Sequence, residues 1–489
     1  MSTRSAAVSA VELLVLAGYA AWLLAHPSSL PSDDALFFVR AVDHFSVVEL
    51  SPHFPGYPAF VIAARALNVL LGDPARAVLA VGALSALSIP VSLYAWARRA
   101  GASLELACAA AACALFQPSL PGVALSMLSD PLGIALALWC LVALQSGRFL
   151  DAGLLMGLCI AARPSYGVLA LAVFACLALL RRDALRPFAL VFAGVGIAAT
   201  AFVLGADGLA YFEEGRRFVA GHFAIWGRGA FAGAERGWGR DLLDLAGGRF
   251  GAGAGAAVLA LVARFVPARE LGTACALAML LAYATWIVWA QNPDSARHAI
   301  PLVFLALGLA VTGAARLRSA ALQSVLAGLL LAAALHGFVG SVDLGREPSP
   351  LERASRALDA HPDAVLITQW GIEVMRARHP ELRIFDAYYG PSTRLAARTT
   401  SHREILRIST TQPGAQWRVV AELPARFPGE KGLLLSEWKA GAEGSADGLD
   451  IRTAGRDGPA RSAHEATAHV RDPRREPGTD GVQERGGDP

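Results

Sequence analysis

Eleven apolar runs dominate this sequence: residues 8–25, 76–96, 103–120, 130–146, 149–162, 165–180, 186–205, 251–266, 270–290, 299–315 and 319–341. A helix needs roughly 20 mostly apolar residues to cross the hydrocarbon core of a bilayer. In lipid each backbone N–H and C=O must be satisfied within its own segment, so repeated runs of this length restrict the chain to a bundle of membrane-spanning helices. Runs 149–162 and 251–266 are short for a span. Of 489 residues, 55% are hydrophobic and 17% charged, where soluble domains carry about 25% charge. Residues 442–489 alone hold 17 Asp, Glu and Arg, so the rest is more apolar than the average. One large soluble enzyme is excluded as the simplest reading.

The formal net charge is only +3, Lys431 and Lys439 are the sole lysines, and no basic cluster is interleaved with aromatics. Nucleic-acid binding is not expected. Cys108, Cys113, Cys140, Cys159, Cys176 and Cys275 all lie inside apolar runs, without a C-x-x-C pair. They read as small core residues, with neither a disulfide framework nor a zinc site.

Short-loop arginines set the expected orientation. With the N-terminus inside, the inner connections carry Arg98, Arg99, Arg148, Arg181, Arg182, Arg186, Arg264, Arg269, Arg316 and Arg318, and the short outer loops only Arg163 and Arg297. The long outer loop 206–250 holds six Arg and six acids. Eleven spans then leave the N-terminus in the cytoplasm and the C-terminus outside, as expected for an integral protein of the cell (inner) membrane. Segment 57–72 is apolar but carries Arg65 at its centre. A charge at mid-bilayer costs on the order of 3 kcal/mol, so we expect a helix lying at the outer interface, as for 35–45.

Beyond residue 341 the pattern changes. AVLIT (364–368), a helical stretch around Ile372 and Met375, and LRIFD (382–386) form an expected β-α-β unit, followed by strands in WRVVAEL (417–423) and GLLLSEW (432–438). The expected organisation is a transmembrane domain over 1–341, a small extracytoplasmic α/β domain over 342–440, and a disordered Gly/Asp/Arg/Pro-rich tail over 441–489.

The informative residues are the polar exceptions on the outer side. Asp33 and Asp34 open the first interfacial segment, where acids cap a helix as readily as they face a cavity. SPHFPGYP (51–58) is a rigid turn that aims His53 and Tyr57 inward or leaves them at the interface. Asp130 opens the fourth run. Arg163 interrupts an apolar stretch, and Arg297 with His298 precedes the tenth run. Ionisable residues at such depth face protein interior or water; the alternatives are turn residues and snorkelling anchors. No phosphate-cradling Gly-rich loop follows a strand, so a nucleotide substrate is not expected.

The segments SDDALFFVRAVDHF, SPHFPGYPAFVIAARAL, LGDPARAVLAVGALSAL, AARPSYGVLALAVF and ARHAIPLVFLALGLA, in this order over residues 8–341, resemble the GT-C superfamily of polytopic glycosyltransferases. More narrowly they are similar to the family 39-like group of protein mannosyltransferases and aminoarabinose transferases. The resemblance implies transfer of a sugar from a polyprenyl-phosphate donor to an extracytoplasmic lipid, glycan or protein. It places an acidic base at Asp33 or Asp34, departing from the commoner Asp-Glu pair, and a second acid at Asp130. Arg163, Arg297 and His298 are then candidates around the lipid phosphate, with His53 and Tyr57 shaping the sugar or acceptor cavity. The lipid-linked donor is a co-substrate; no resident cofactor is expected, and a divalent metal is compatible but not required. The rival readings are a transporter or lipid flippase, for which no repeat is visible, a non-catalytic assembly protein, and an outer-face glycan polymerase or ligase using the arginines of loop 206–250.

Overall fold

A computed structural model describes residues 3–226, 238–291, 295–368, 370–387 and 404–439. The expected tail 441–489 lies outside the described residues. The apolar runs are rich in Ala and Leu, strong helix formers, and give helices throughout. In chain order these are α1 (Thr3–Leu24), α2 (Asp33–Asp43), α3 (Pro58–Leu71), α4 (Pro74–Arg99), α5 (Leu104–Leu115), α6 (Leu120–Ala124), α7 (Asp130–Gln145), α8 (Phe149–Ala162), α9 (Gly167–Leu180), α10 (Arg182–Asp207), α11 (Ala210–Trp226), α12 (Trp238–Leu245), α13 (Gly248–Val262), α14 (Leu271–Ala290), α15 (Ile300–Ala315) and α16 (Ala320–Ser341).

Among the described residues, six helical segments are long and apolar enough to cross a bilayer: Pro74–Arg99, Arg182–Asp207, Gly248–Phe265, Leu271–Ala290, Ala296–Ala315 and Ala320–Ser341. Of the other apolar helices, α1 has 22 residues, with Leu13–Leu24 as its described apolar part, and the rest have 10–17, so the structure does not give eleven spans of full length among the described residues. Run 103–120 in particular ends as a helix at Leu115; Pro118 and Pro121 follow, and only the short α6 continues. A helix of 12 residues reaches about 18 Å at 1.5 Å per residue, well short of a ~30 Å core. Loop 206–250 also differs from expectation, because it contains α11 and α12. The outer faces of the bundle are apolar and exposed, as at Leu190, Ile197 and Leu179, which suits lipid contact.

Arg98 and Arg99 close α4, Arg148 and Asp151 pair before and within α8, and Arg316 pairs with Glu270. At the opposite end lie the last turn of α1, α2, α3, and the starts of α4, α7 and α15. Arg76 there donates to the Leu24 and His26 carbonyls.

The two short segments expected at the interface are helices, and α3 accounts for its half-buried cation. Arg65 donates through Nε to the Val42 carbonyl (2.9 Å) and through Nη2 to that of Ala41 (3.0 Å). It thereby satisfies carbonyls in the last turn of α2, which have no partner inside the helix, and it places a cation where the dipole is negative.

After α16 the chain forms α17 (Pro350–Leu358) and a five-stranded sheet of β1 (Val365–Thr368), β2 (Arg383–Asp386), β3 (Ile405–Ser409), β4 (Trp417–Leu423) and β5 (Leu433–Trp438), with α18 (Ile372–Arg378) between β1 and β2. The order is β2-β1-β3-β5-β4. β1 runs parallel to β2 and β3, whereas β5 is antiparallel to β3 and β4. The expected β-α-β unit and both later strands are present; β3 is additional. The sheet sits at the α2 end of the bundle, bound to residues 29–33. Ser349 Oγ donates to the Leu30 carbonyl (2.8 Å), Ser349 N to Ser29 Oγ (2.9 Å), Trp370 Nε1 to the Pro31 carbonyl (3.3 Å) and Val374 N to Asp33 Oδ1 (3.0 Å).

Candidate active site

Ser32, rather than either acid, caps α2: its Oγ accepts from the Ala35 N–H at 3.4 Å. Asp33 and Asp34 are therefore the first helical residues and diverge by about 100° around the axis. Asp33 turns to the sheet and accepts from Val374 N. Asp34 turns to the bundle, where Arg297 Nη2 donates to Oδ2 at 3.2 Å and His53 Nδ1 stands 3.7 Å from Oδ1.

His53 is placed by the SPHFPGYP turn, where the Ser51–Pro52 and Phe54–Pro55 bonds are cis and Tyr57 adopts a left-handed φ of 53°. Ser46 and Ser51 exchange two backbone hydrogen bonds of 2.8 Å at its base. Asp207, at the end of α10, accepts from Ser46 Oγ and from Val47 N, both at 2.6 Å. The turn is thus tied to a distant helix before it reaches His53. The imidazole is 14% exposed. It meets Phe37 and Phe38 edge-on and stacks on Phe218 of α11 at 5.8 Å. α11 can lie this close because Gly215 has no side chain: a Cβ there would stand 2.5 Å from the Phe54 ring.

From His53 the polar contacts continue. His53 Nε2 and Tyr57 Oη are 2.8 Å apart, and the Arg163 guanidinium lies 5.8 Å from the Tyr57 ring centroid. Arg163 Nη2 is 3.1 Å from Asp130 Oδ1, with the two side chains only 7% and 3% exposed. Gly133, one turn into α7, permits this approach, since a Cβ there would meet Arg163 Cβ and the Tyr166 ring at 2.9 Å. Asp130 was as readily a helix cap from spacing, and Arg163 a turn residue; both are instead buried and paired. The result is one connected series: Arg297, Asp34, His53, Tyr57, Arg163, Asp130. His298 is buried on the same 3₁₀ turn as Arg297 (Ala296–Ala299), in the electrostatic neighbourhood of Arg297, Arg163 and His222. Asp33 is the one sequence-selected residue that faces elsewhere.

Several buried atoms of this series make no hydrogen bond among the described residues: both Asp130 carboxylate oxygens, Arg163 Nε, Arg297 Nε and His53 Nδ1. The Arg163–Asp130 contact is thus close but not aligned as a hydrogen bond. Buried donors without partners are costly, and a ligand oxygen is one way to satisfy them.

Burial opposes the Asp34 charge, yet His53, Arg297 and Arg163 together outweigh it and hold the carboxyl below its ordinary range. Burial also lowers the His53 pKa, Asp34 opposing this and the two arginines adding to it. Asp34 is thus held ionised near pH 7, and His53 gives up its proton more readily than a free imidazole. Burial pushes the Tyr57 hydroxyl up to about 12, so it remains a donor. Asp33 behaves differently. Burial, Glu373 and Asp34 raise it to about 6 against the Val374 N–H. Among the described residues no three His, Cys, Asp or Glu side chains are grouped to hold a metal ion.

Sequence reading missed Phe218 and His222. They lie four apart on α11, which spacing alone gives no reason to place over the site; His222 Nε2 reaches the Ala290 carbonyl at 3.1 Å. Arg65 and Asp207, which hold α2 and the turn, were also not selected.

No protein-family model matches the chain, and no curated protein matches it by sequence. Solved structures do. ArnT from Cupriavidus metallidurans bound to undecaprenyl phosphate superposes with a TM-score of 0.53 at 11% identity, covering 87% of this chain and 97% of ArnT. The apo form of the same ArnT gives 0.53 at 12% identity, covering 88% and 98%. The archaeal oligosaccharyltransferase AglB from Archaeoglobus fulgidus, in complex with an inhibitory peptide and a dolichol-phosphate, gives 0.48 at 13% identity over 81% of this chain and 69% of AglB. The ArnT likeness shows the fold alone: this chain shares its fold with ArnT, and here it consists of a bundle of apolar helices followed by a small C-terminal sheet.

Proposed function

We propose that the protein is a membrane glycosyltransferase that moves a sugar from a polyprenyl-phosphate donor to an extracytoplasmic acceptor hydroxyl on a lipid, glycan or protein. The observation that carries this reading is the connected series itself: a half-buried ionised carboxylate held by one half-buried guanidinium, Arg297, with a second, fully buried one, Arg163, behind a histidine and a tyrosine. The GT-C fold and the polyprenyl phosphate bound by ArnT support it.

In this reading Asp34 accepts the proton of the acceptor hydroxyl as its oxygen bonds to the anomeric carbon. The bond from that carbon to the phosphate oxygen breaks on the opposite face, and the electron pair leaves on the lipid phosphate. The sugar configuration inverts and no covalent sugar–enzyme species forms. Glycosyl transfer passes through an oxocarbenium-like transition state. The nucleophile is then deprotonated late, and a carboxylate of modest basicity suffices. Arg163 and Arg297, with the unpartnered Nε–H groups, stand where a developing phosphate charge is stabilised. Tyr57 donates, and neutral His53 orients either Tyr57 or the acceptor. The step requires no metal.

The reading places the N-terminus in the cytoplasm, residues 342–440 outside it as an α/β domain, and 441–489 as a tail. Reporter fusions at 345 and 440 are active only outside the cytoplasm if it holds; cytoplasmic activity at both overturns it. The function itself is tested by deleting the gene and measuring envelope lipids, glycans and proteins by mass spectrometry. A loss of one sugar mass identifies the acceptor, and wild type restores it. Asp34→Asn lowers transfer by ~10²–10⁴-fold, the usual contribution of a general base, with unchanged membrane insertion. Full restoration by Asp34→Asn would remove Asp34 from the chemistry.

A further inference from the structure

We propose that the C-terminal sheet is a positioning element for the candidate site and that Asp33 is its contact residue, taking the Val374 N–H and so fixing the start of α2. The inference rests on the glycosyltransfer reading above for its activity arm only. Four of the five residues 29–33 are hydrogen-bonded to the segments that flank the sheet, namely Ser349 before α17, Trp370 after β1 and Val374 in α18: Ser29 through Oγ, Leu30 and Pro31 through their carbonyls, and Asp33 through its carboxyl. The next residue is Asp34. The far end of α2 is held by Arg65 on the Ala41 and Val42 carbonyls. Both ends of an 11-residue helix are thus anchored by parts of the fold outside it, and the carboxylate facing Arg297 lies in its first turn.

The Arg297–Asp34 contact, at 3.2 Å, sits at the long end of hydrogen bonding. A displacement of about 1 Å in such a group can cost ~10²-fold in rate. The surroundings of Asp33 are poor for a free acid. It is largely buried, and Glu373 and Asp34 are its electrostatic neighbours. An acid in such a place makes sense as an acceptor for a backbone N–H, a part that a protonated carboxyl or an amide oxygen also fills, with a weaker bond than a carboxylate makes. Asp33 and Asp34 therefore divide the work: one aims the helix, the other meets the substrate.

The test uses full-length protein in lipid nanodiscs and compares Asp33→Asn, which keeps an acceptor oxygen, with Asp33→Ala, which does not. Hydrogen exchange of the α2 amides is the first readout. Restoration of the missing sugar mass in the deletion strain is the second. Asp33→Ala is expected to speed α2 exchange about tenfold or more, the scale of one lost hydrogen bond to a carboxyl, and to lower transfer by ~10–10²-fold. Asp33→Asn is expected to leave both within about threefold of wild type, within the scatter of one hydrogen bond. Trp370→Phe removes only the donor to Pro31 and is expected to move exchange in the same direction by a smaller amount. It decides the matter if Asp33→Ala does not fold. Unchanged α2 exchange in Asp33→Ala, or in Trp370→Phe where Asp33→Ala fails to fold, overturns the proposal. So does an inactive Asp33→Asn with wild-type exchange, because the carboxylate would then act chemically. Should Asp34→Asn restore transfer fully, the functional reading fails while the exchange arm still decides the positioning.

Discussion

The Arg163–Asp130 pair allows the sharpest quantitative test. At 3.1 Å two unit charges attract by ~5 kcal/mol at an effective dielectric of 20. Against this stands a desolvation cost of several kcal/mol per buried ion. The pair therefore contributes little net stability, and removing one member leaves the other charge buried without compensation. Asp130→Asn and Arg163→Gln should each cost ~3–5 kcal/mol. The double variant, with no buried charge left, should cost clearly less than the sum. The assay is thermal unfolding of the purified protein in detergent, scored as a double-mutant cycle. At ~2 °C per kcal/mol for a large chain, each single variant loses roughly 6–10 °C and the double recovers a good part of that. Additivity within ~0.5 kcal/mol would refute the pairing and, with it, the account of why Arg163 can be charged at that depth.

Asp207→Ala removes two charge-assisted hydrogen bonds from the turn that carries His53. Such bonds contribute ~1.5–3 kcal/mol each, so hydrogen exchange over 44–57 should rise markedly while that of α4 stays as in wild type. Asp33 gives a pH dependence. Its folded pKa is raised from 3.8 to about 6, so the folded form holds the proton more tightly than the unfolded form. Its stabilising effect is complete below pH ~4, fades as pH rises toward 6, and is absent above. The ceiling is ~3 kcal/mol. Thermal unfolding of Asp33→Asn should lack that decline between pH 4 and 6; an unchanged profile would show that another group causes it.

Much of this architecture was legible because its determinants are local. The apolar runs, and the short apolar stretches at 364–368, 417–423 and 432–438, announce their elements without help from the rest of the chain. The polar exceptions were legible too, since an arginine such as Arg163 inside an apolar run calls for a reason. What spacing left open was direction. Asp33 and Asp34 are indistinguishable as letters; the partners that separate them, Val374 and Arg297, lie 341 and 263 residues away. The length of α5 was misjudged because apolarity continues through Pro118, where the helix does not. β3 escaped because ILRIS (405–409) is five residues long and lies beside the polar stretch 391–404. Arg65 drew notice as a charge inside an apolar segment, but its use, closing α2, depends on two helices meeting side by side.

The contacts that bind residues 29–33 also carry a consequence in time. Ser29 and Leu30 leave the ribosome early, whereas their partner Ser349 is made about 320 residues later. At ~5–20 residues per second this is an interval of roughly 16–64 s. During it the first extramembrane segment has its proline turn and Arg65 close by, but no sheet against which to rest. The site is therefore among the last parts of the molecule to be completed, and a nascent chain interrupted between residues 298 and 348 carries every side chain of the acid–arginine series without the brace that aligns it.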